Sequence, residues 1–250
     1  MEALVSIITP TFNSAPYLRE TYQSLQNQTY PHWEWLVIDD ASRDNSVEVL
    51  QELQQSDSRI KLFPQSKNQG PAISRNIGIE NASGDFMTFI DADDIWFPDF
   101  IENSIQTIQT TGYPFVFSSY RRSDEQLNFV YSDFIVPKQV TYTDILKTNS
   151  ISCLTAFLDI KALGKKYMPL IHKRQDMGLW LQYLKEIPFA YGIQEPKAVY
   201  RIRQNSLSRK KSDLIHYQWK FYREVEKLGV ISSGYYMIHW MVRGFLKYRN

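Results

Sequence analysis

Asp91-Ala92-Asp93-Asp94 follows directly on the apolar run Phe86-Met87-Thr88-Phe89-Ile90, and no other stretch of the chain concentrates acidic groups so tightly behind a strand-like segment. In an extended backbone residues 91 and 93 project to the same side. Two carboxylates then converge within reach of one hard divalent cation, or of a cation and a ribose hydroxyl. Oxygen-only ligation selects Mg²⁺ or Mn²⁺ over zinc, and Mg²⁺ characteristically shares its shell with substrate phosphates. The same acids also suit a helix N-terminus ahead of Pro98, with Asp93 or Asp94 as its cap. Both readings stand at this point.

Two earlier runs end in the same polar manner. Leu4–Thr9 leads into Pro10-Thr11-Phe12-Asn13, and Trp33–Asp39 into Asp40-Ala41-Ser42. In open α/β sheets ligands gather beyond the carboxyl ends of the strands, so three strands deliver carboxylates and hydroxyls to one rim. Neither G-x-G-x-x-G nor G-x-x-x-x-G-K-[ST] occurs, which excludes a dinucleotide fingerprint and a P-loop. A nucleoside diphosphate would instead be neutralised by a cation and basic side chains. Arg75, on the helical pattern that starts at Pro71, is one candidate for that task and equally suits a plain surface position.

The elements that must hold these groups are legible from periodicity. Leu4–Thr9, Trp33–Asp39, Ile60–Phe63, Phe86–Asp91 and Phe115–Ser118 read as strands, several apolar on both faces. Between them, Ser14 and Pro16 open a helix with Leu18, Tyr22 and Leu25 on one stripe; Asp44 and Ser46 open another with Val47, Leu50 and Leu53; Pro71–Ile79 and Phe100–Ile108 supply two more. This βαβα order predicts an α/β fold with a mostly parallel central sheet and crossover helices. Past residue 120 the pattern loosens: Cys153–Leu158 and Ala198–Ile202 read as strands, Asp176–Lys185, Leu214–Lys227 and Tyr235–Tyr248 as helices. One continuous domain with a helical C-terminal extension is the simplest parse.

Composition narrows the classes. Of 250 residues 43% are apolar, enough for a packed core and too many for a disordered chain. Cys153 is the single cysteine, which excludes an intrachain disulfide and a cysteine zinc cluster. Met1-Glu2-Ala3-Leu4 lacks the basic start of a secretory leader, and no apolar run reaches the ~18 residues of a membrane span; a cytoplasmic protein is expected. Residues 1–196 hold 16 Lys+Arg against 24 Asp+Glu, whereas residues 197–250 hold 12 against 3. A basic tail of this kind suits an anionic membrane face, phosphorylated substrates, nucleic acid or simply a solvated helix surface.

Four blocks in order carry a family resemblance: Val5-Ser6-Ile7-Ile8-Thr9-Pro10-Thr11-Phe12-Asn13, Val37-Ile38-Asp39-Asp40-Ala41-Ser42-Arg43-Asp44, Asn68-Gln69-Gly70-Pro71-Ala72-Ile73-Ser74-Arg75-Asn76 and Phe89-Ile90-Asp91-Ala92-Asp93-Asp94. Together they resemble family 2 glycosyltransferases of the GT-A fold, bacterial surface-polysaccharide type, over residues 4–100 and more patchily to 210. The resemblance implies a nucleotide-sugar site at Thr9, Pro10, Thr11, Asn13, Asp40, Arg75, Asp91, Ala92 and Arg203. Within it the 10–13 loop cradles the nucleoside, Asp40 hydrogen-bonds a uracil edge, Arg75 touches base or phosphate, Asp91 touches ribose or sugar, and Asp93 ligates Mg²⁺ or Mn²⁺.

Gln175-Asp176-Met177-Gly178-Leu179-Trp180-Leu181 resembles the family's acidic block before a short helix, with Gln175 where a Glu is usual; it implies Asp176 as the base that deprotonates an acceptor hydroxyl. Helix capping by Asp176 competes with that role. Tyr200-Arg201-Ile202-Arg203-Gln204-Asn205-Ser206-Leu207-Ser208 resembles a late segment in which Arg203 replaces a histidine. Arginine does not ligate metal but grips phosphate oxygens in pairs, so Arg203 is expected on the leaving diphosphate. Trp96 and Trp180 are candidates for stacking on a sugar.

The resulting expectation is an inverting transferase that moves one sugar from a nucleotide-sugar, most simply a UDP-sugar, to a saccharide or lipid-linked saccharide, with no nucleic-acid partner. Without a Q-x-x-R-W motif it adds one sugar per encounter. Residues 1–110 form the donor part, 111–210 the acceptor part and 211–250 a basic aromatic extension that rests on the inner face of the membrane. A nucleotidyltransferase and a non-catalytic nucleotide-sugar-binding module are the alternatives.

Overall fold

β1 (Val5–Thr11) and β2 (Trp33–Asp39) are buried on both faces almost throughout, as parallel strands covered by helices on either side must be. The computed structural model describes residues 2–129, 131–203 and 214–247, with backbone alone over 244–247. α1 (Ala15–Gln26) joins β1 to β2, α2 (Ser46–Ser56) leads to β3 (Ile60–Pro64), and α3 (Pro71–Asn81) leads to β4 (Phe86–Phe89). These four strands are parallel, in the order β3-β2-β1-β4. Strand order therefore reverses between β1 and β4, which opens the crevice where an α/β sheet receives ligands.

The chain continues through β5 (Ile95–Trp96), α4 (Phe100–Thr111), β6 (Phe115–Ser123), β7 (Gln139–Val140), α5 (Tyr142–Lys147), β8 (Phe157–Asp159), α6 (Ile160–Leu163), α7 (Gln175–Leu184), β9 (Ala190–Arg201), α8 (Leu214–Lys220) and α9 (Val230–Lys247). The sheet runs on as β8-β6-β9-β5, with β7 also on β9. β6 and β9 are parallel, while β8, β5 and β7 pair antiparallel with their neighbours. The first half of the sheet is thus purely parallel and the second half mixed.

Alternation along the strands divides the core in two. Val5, Ile7, Trp33, Trp35 and Val37 share one cluster with side chains of α1, α2 and α4, whereas Ile8, Leu36 and Ile38 lie under α3 in a second cluster that extends to α5 and α7. Phe221, Tyr222 and Met237 join the second cluster, and the Tyr222 hydroxyl donates to Leu146 O at 2.5 Å, so the helices after residue 213 pack into the same core. Gly78 lets α3 sit tightly on the sheet, since a Cβ there would lie 2.4 Å from Ile8 Cγ2 and 3.0 Å from Ile38 Cδ1.

One buried acid ties the lower ends of the strands together. Glu34 is 4% exposed and accepts from Ser6 Oγ, the N–H and Oγ of Ser83, and Lys61 Nζ at 2.6–2.8 Å. Those bonds, Lys61's foremost among them, outweigh the cost of burial and hold its carboxyl below the ordinary value.

Several local expectations need correction. Cys153–Leu158 is not one strand: Cys153–Thr155 forms a 3₁₀ turn, and only Phe157–Asp159 pairs in the sheet. The Leu154 carbonyl accepts from Trp96 Nε1 at 2.9 Å and Thr155 Oγ1 donates to Ser118 O, so side chains occupy the polar groups a ladder would use. Ser14 sits at the N-cap position of α1, but its hydroxyl donates to Phe12 O; Asp44 accepts from the Ala15 N–H in its place. The Leu214–Lys227 helix ends at Lys220 and continues as a π-helical turn, Phe221–Val225. Neither Asp93 nor Asp94 caps a helix, because β5 and not a helix follows them.

Candidate functional site

The loops after β1 and β2 are stitched to each other. Asn13 adopts φ 50° and Ala41 φ 61°, a left-handed conformation that costs Ala about 1 kcal/mol or more and concentrates at functional loops. The Asp40 N–H donates to Thr11 O at 2.8 Å, the Asn13 N–H to Ser42 Oγ at 2.9 Å and the Arg43 N–H to Asn13 Oδ1 at 2.7 Å. Asp40 is buried and accepts from the N–H groups of Gln69 and Gly70, both at 2.7 Å; it fixes the loop that launches α3. Thr11 Oγ1 is buried without a hydrogen-bond partner among the described residues.

Thr9 requires correction. It is fully buried, and its Oγ1 accepts from Trp35 Nε1 at 2.7 Å, which leaves no surface for a ligand. Pro10, Thr11 and Asn13 lie nearer the strand end. Trp96 and Trp180 are buried too: Trp180 packs on Phe89 and Phe115, Trp96 on Phe100. Neither ring offers a face to a sugar.

The acidic loop after β4 is held from below. Thr21 Oγ1 bonds the carbonyls of both Ala92 and Asp94 at 3.0 Å, and Asp94 Oδ1 accepts from the Arg201 N–H at 2.8 Å. These contacts bury Ala92 and Asp94 and leave Asp91 and Asp93 toward the rim. Each rim acid carries its own cation. Arg75 Nη2 reaches Asp91 Oδ1 at 2.5 Å, and Arg203 Nη1 reaches Asp93 Oδ2 at 3.0 Å. Burial and then the charge of Asp91 push the Asp93 carboxyl up, with Arg203 opposing. Burial, reinforced by Asp93 and Asp91, pushes Asp94 well above the carboxylate range.

Arg75 is 8% exposed. Burial works against its charge, yet Cys153, Asp91 and Asp176 outweigh that penalty and raise its pKa. Asp176 is thus in electrostatic reach of the same guanidinium that binds Asp91. It sits in the first turn of α7 without capping it; the N-cap position belongs to Arg174, at φ 72°. Asp176 Oδ2 accepts from Asn149 Nδ2 at 3.0 Å.

The structure therefore brings Asp91, Asp93, Arg75 and Arg203 together by direct contact, with Asp176 within electrostatic range of Arg75 and Pro10, Thr11, Asn13 and Asp40 on the adjoining loops. Ser206 and Ser208 lie outside the described residues. Sequence reasoning missed Asn149, which no motif marks, and Tyr17, whose ring lies 4.9 Å from Arg201 Cζ and 4.7 Å from Arg203 Cζ. Among the described residues no three His, Cys, Asp or Glu side chains gather into a closed cage. Asp91 and Asp93 suit a hard cation that draws its other ligands from water and substrate phosphates, and their mutual repulsion at Asp93 is what such a charge relieves.

The sequence pattern of the family described as glycosyl transferase family 2 matches residues 6–158. A Bacillus subtilis glycosyltransferase, TuaG, whose name places it in teichuronic acid biosynthesis, is 34% identical over 95% of this chain and 94% of its own. The Escherichia coli UDP-Glc:alpha-D-GlcNAc-diphosphoundecaprenol beta-1,3-glucosyltransferase WfgD is 34% identical over 98% of this chain and 95% of its own. Among solved structures, Staphylococcus aureus TarS 1-349 in complex with UDP-GlcNAc superposes with a TM-score of 0.72 at 18% identity, over 96% of this chain and 72% of that one. The Pyrobaculum calidifontis mannosyltransferase PcManGT, in complex with GDP-Man and Mn²⁺, gives 0.69 at 17%, over 95% and 70%. These likenesses establish the GT-A fold.

Proposed function

The chain belongs to glycosyl transferase family 2, and from that premise we propose that it inverts the anomeric centre as it moves one sugar from a UDP-sugar to a hydroxyl of a lipid-linked saccharide, in the synthesis of a bacterial surface polysaccharide. The observation that carries this reading is Arg75, hydrogen-bonded to Asp91 and within the field of Asp176. It supports a donor seated on the Asp91–Asp93 side and an acceptor on the Asp176 side of one rim.

Pro10 and Asn13 would line the nucleoside, with the buried Thr11 and Asp40 supporting the loop beneath the base. Asp91 would orient ribose or sugar hydroxyls, Asp93 would hold the divalent cation, and Arg203 would grip the diphosphate in the bidentate manner of guanidinium. When bound, Mg²⁺ or Mn²⁺ supplies charge neutralisation at the leaving group, where transition-state stabilisation must act. Asp176, oriented by Asn149, would take the acceptor proton as the hydroxyl attacks C1 from the opposite face. One displacement inverts the centre.

Residues 1–110 would serve the donor, 111–210 the acceptor, and 211–250 the membrane. Among the described residues no helix is long and apolar enough to cross a bilayer, but α9 exposes Ile231, Tyr235, Ile238 and Val242 at i, i+4, i+7 and i+11, next to Arg243. That face suits shallow burial in an anionic leaflet. Binding to phosphatidylglycerol vesicles that falls with salt and with Ile231→Ser plus Ile238→Ser supports it; vesicle binding unaffected by both removes it.

The decisive assay incubates the protein with UDP-sugars, Mn²⁺ and a lipid-diphosphate-linked N-acetylhexosamine. Release of UDP with a product of inverted anomeric configuration is expected. Pyrophosphate release would assign a nucleotidyltransferase, and donor binding without turnover across the panel a non-catalytic module.

A further inference from the structure

Both acids of the Asp91–Asp93 pair are already neutralised within the chain, but their two arginines are not alike. Arg75 rises from the second turn of α3, its side chain one-tenth exposed. Arg203 hangs beyond the end of β9, past the last backbone bond from Ile202 N–H to Ser123 O, and its side chain is 30% exposed. Among the described residues it is anchored by the carboxylate of Asp93 at 3.0 Å and the face of Tyr17 at 4.7 Å. Arg201, on the other hand, is tied to Glu20 and to Glu125 O and shares the same ring. The Tyr17 face is thus a hold on the Arg203 guanidinium separate from Asp93.

A divalent cation that approaches Asp93 meets a carboxylate whose Oδ2 is occupied by a positive charge. A nucleoside diphosphate changes that competition, because its oxygens offer Arg203 a stronger, two-point partner. Resting on the transferase reading above, we infer that Arg203 is an internal gate on the cation site. It covers Asp93 until a nucleoside diphosphate arrives, then transfers to the phosphates and frees Asp93 for the metal. Cation and donor then bind as a coupled pair, each raising the affinity of the other by the same factor, as linkage requires. No bond is made or broken; a guanidinium exchanges one anionic partner for another.

The test is a Mn²⁺ titration followed by the electron paramagnetic resonance signal of the free ion, with and without saturating UDP. Wild type is expected to bind Mn²⁺ weakly alone and much more tightly with UDP. In Arg203→Ala, nucleotide-free Mn²⁺ affinity should rise about tenfold, the low end for removal of a charge-assisted competitor at a partly exposed site, and the UDP-dependent gain should shrink. Arg203→Gln should behave alike and carries the test if the alanine variant folds poorly. Adding Asp93→Asn to either should abolish the gain.

Nucleotide-free Mn²⁺ affinity within twofold of wild type in both position-203 variants overturns the gate. UDP-dependent Mn²⁺ binding by wild type would then still uphold the donor site. Failure of every variant to bind Mn²⁺, with or without UDP, would remove the cation from Asp93 and the gate with it.

Discussion

Asn149 donates its side-chain amide to Oδ2 of Asp176 at 3.0 Å, and its own Oδ1 is fixed by the N–H of Ile151 at 3.1 Å. One oxygen of the Asp176 carboxylate is thereby oriented by a residue that is itself held. Asp176→Asn should lower kcat on the order of 10²- to 10⁴-fold while UDP affinity is retained. Asn149→Ala leaves the base in place but unoriented, and should lower kcat roughly tenfold with the donor KM unchanged. Steady-state UDP release with separately measured UDP binding checks both; equal losses in KM and kcat would argue against the positioning role.

Arg75 pairs with the acid at 91 from a buried position, and its removal strands charge. Arg75→Ala should destabilise the fold by about 2–3 kcal/mol, below the range for a fully buried pair because Asp91 keeps about a third of its side-chain surface in water. For a chain of this length that is a drop of roughly 5–10 °C in Tm. A thermal melt reads it directly, and an unchanged midpoint would contradict the burial of the guanidinium.

Position 78 tests whether helix placement governs the site. Gly78→Ala puts a methyl against Ile8 and Ile38, and over-packing of this kind costs about 1–3 kcal/mol. Since Arg75 lies one turn upstream on the same helix face, lifting α3 should weaken UDP binding without touching the ligand. Denaturant midpoints and UDP-induced thermal shifts should fall together.

Glu34 gives the fold a pH dependence with a defined sign. Its pKa is below the ordinary 4.5 in the folded chain, so its stabilisation is fully present above pH 4.5 and is lost as the pH falls through the folded value. Glu34→Gln should cost about 2 kcal/mol at pH 7, the worth of a hydrogen bond to a charged group, and the gap from wild type should narrow below pH 4.5. Urea midpoints at pH 7 and at pH 3.5 to 4 check it; a constant gap would mean the charge is not what stabilises.

The sequence by itself determined what short-range spacing can encode. β2 spans Trp33–Asp39 as its largely apolar, β-favouring run predicts, the acids at 91 and 93 fall just beyond a buried strand, and α7 begins within one residue of Asp176. Depth was not legible. Thr9 and Thr11 share a strand face and both are buried, Thr9 with its hydroxyl spent on the Trp35 indole, and burial likewise removes Trp96 and Trp180 from the site. Nor was charge pairing. Arg203 meets Asp93 across 110 residues because β9 lies between β6 and β5, a mixed arrangement whose partners are chosen by packing. Periodicity is a property of neighbours along the chain, whereas an ion pair belongs to neighbours across the sheet, and only the folded order of strands brings those together.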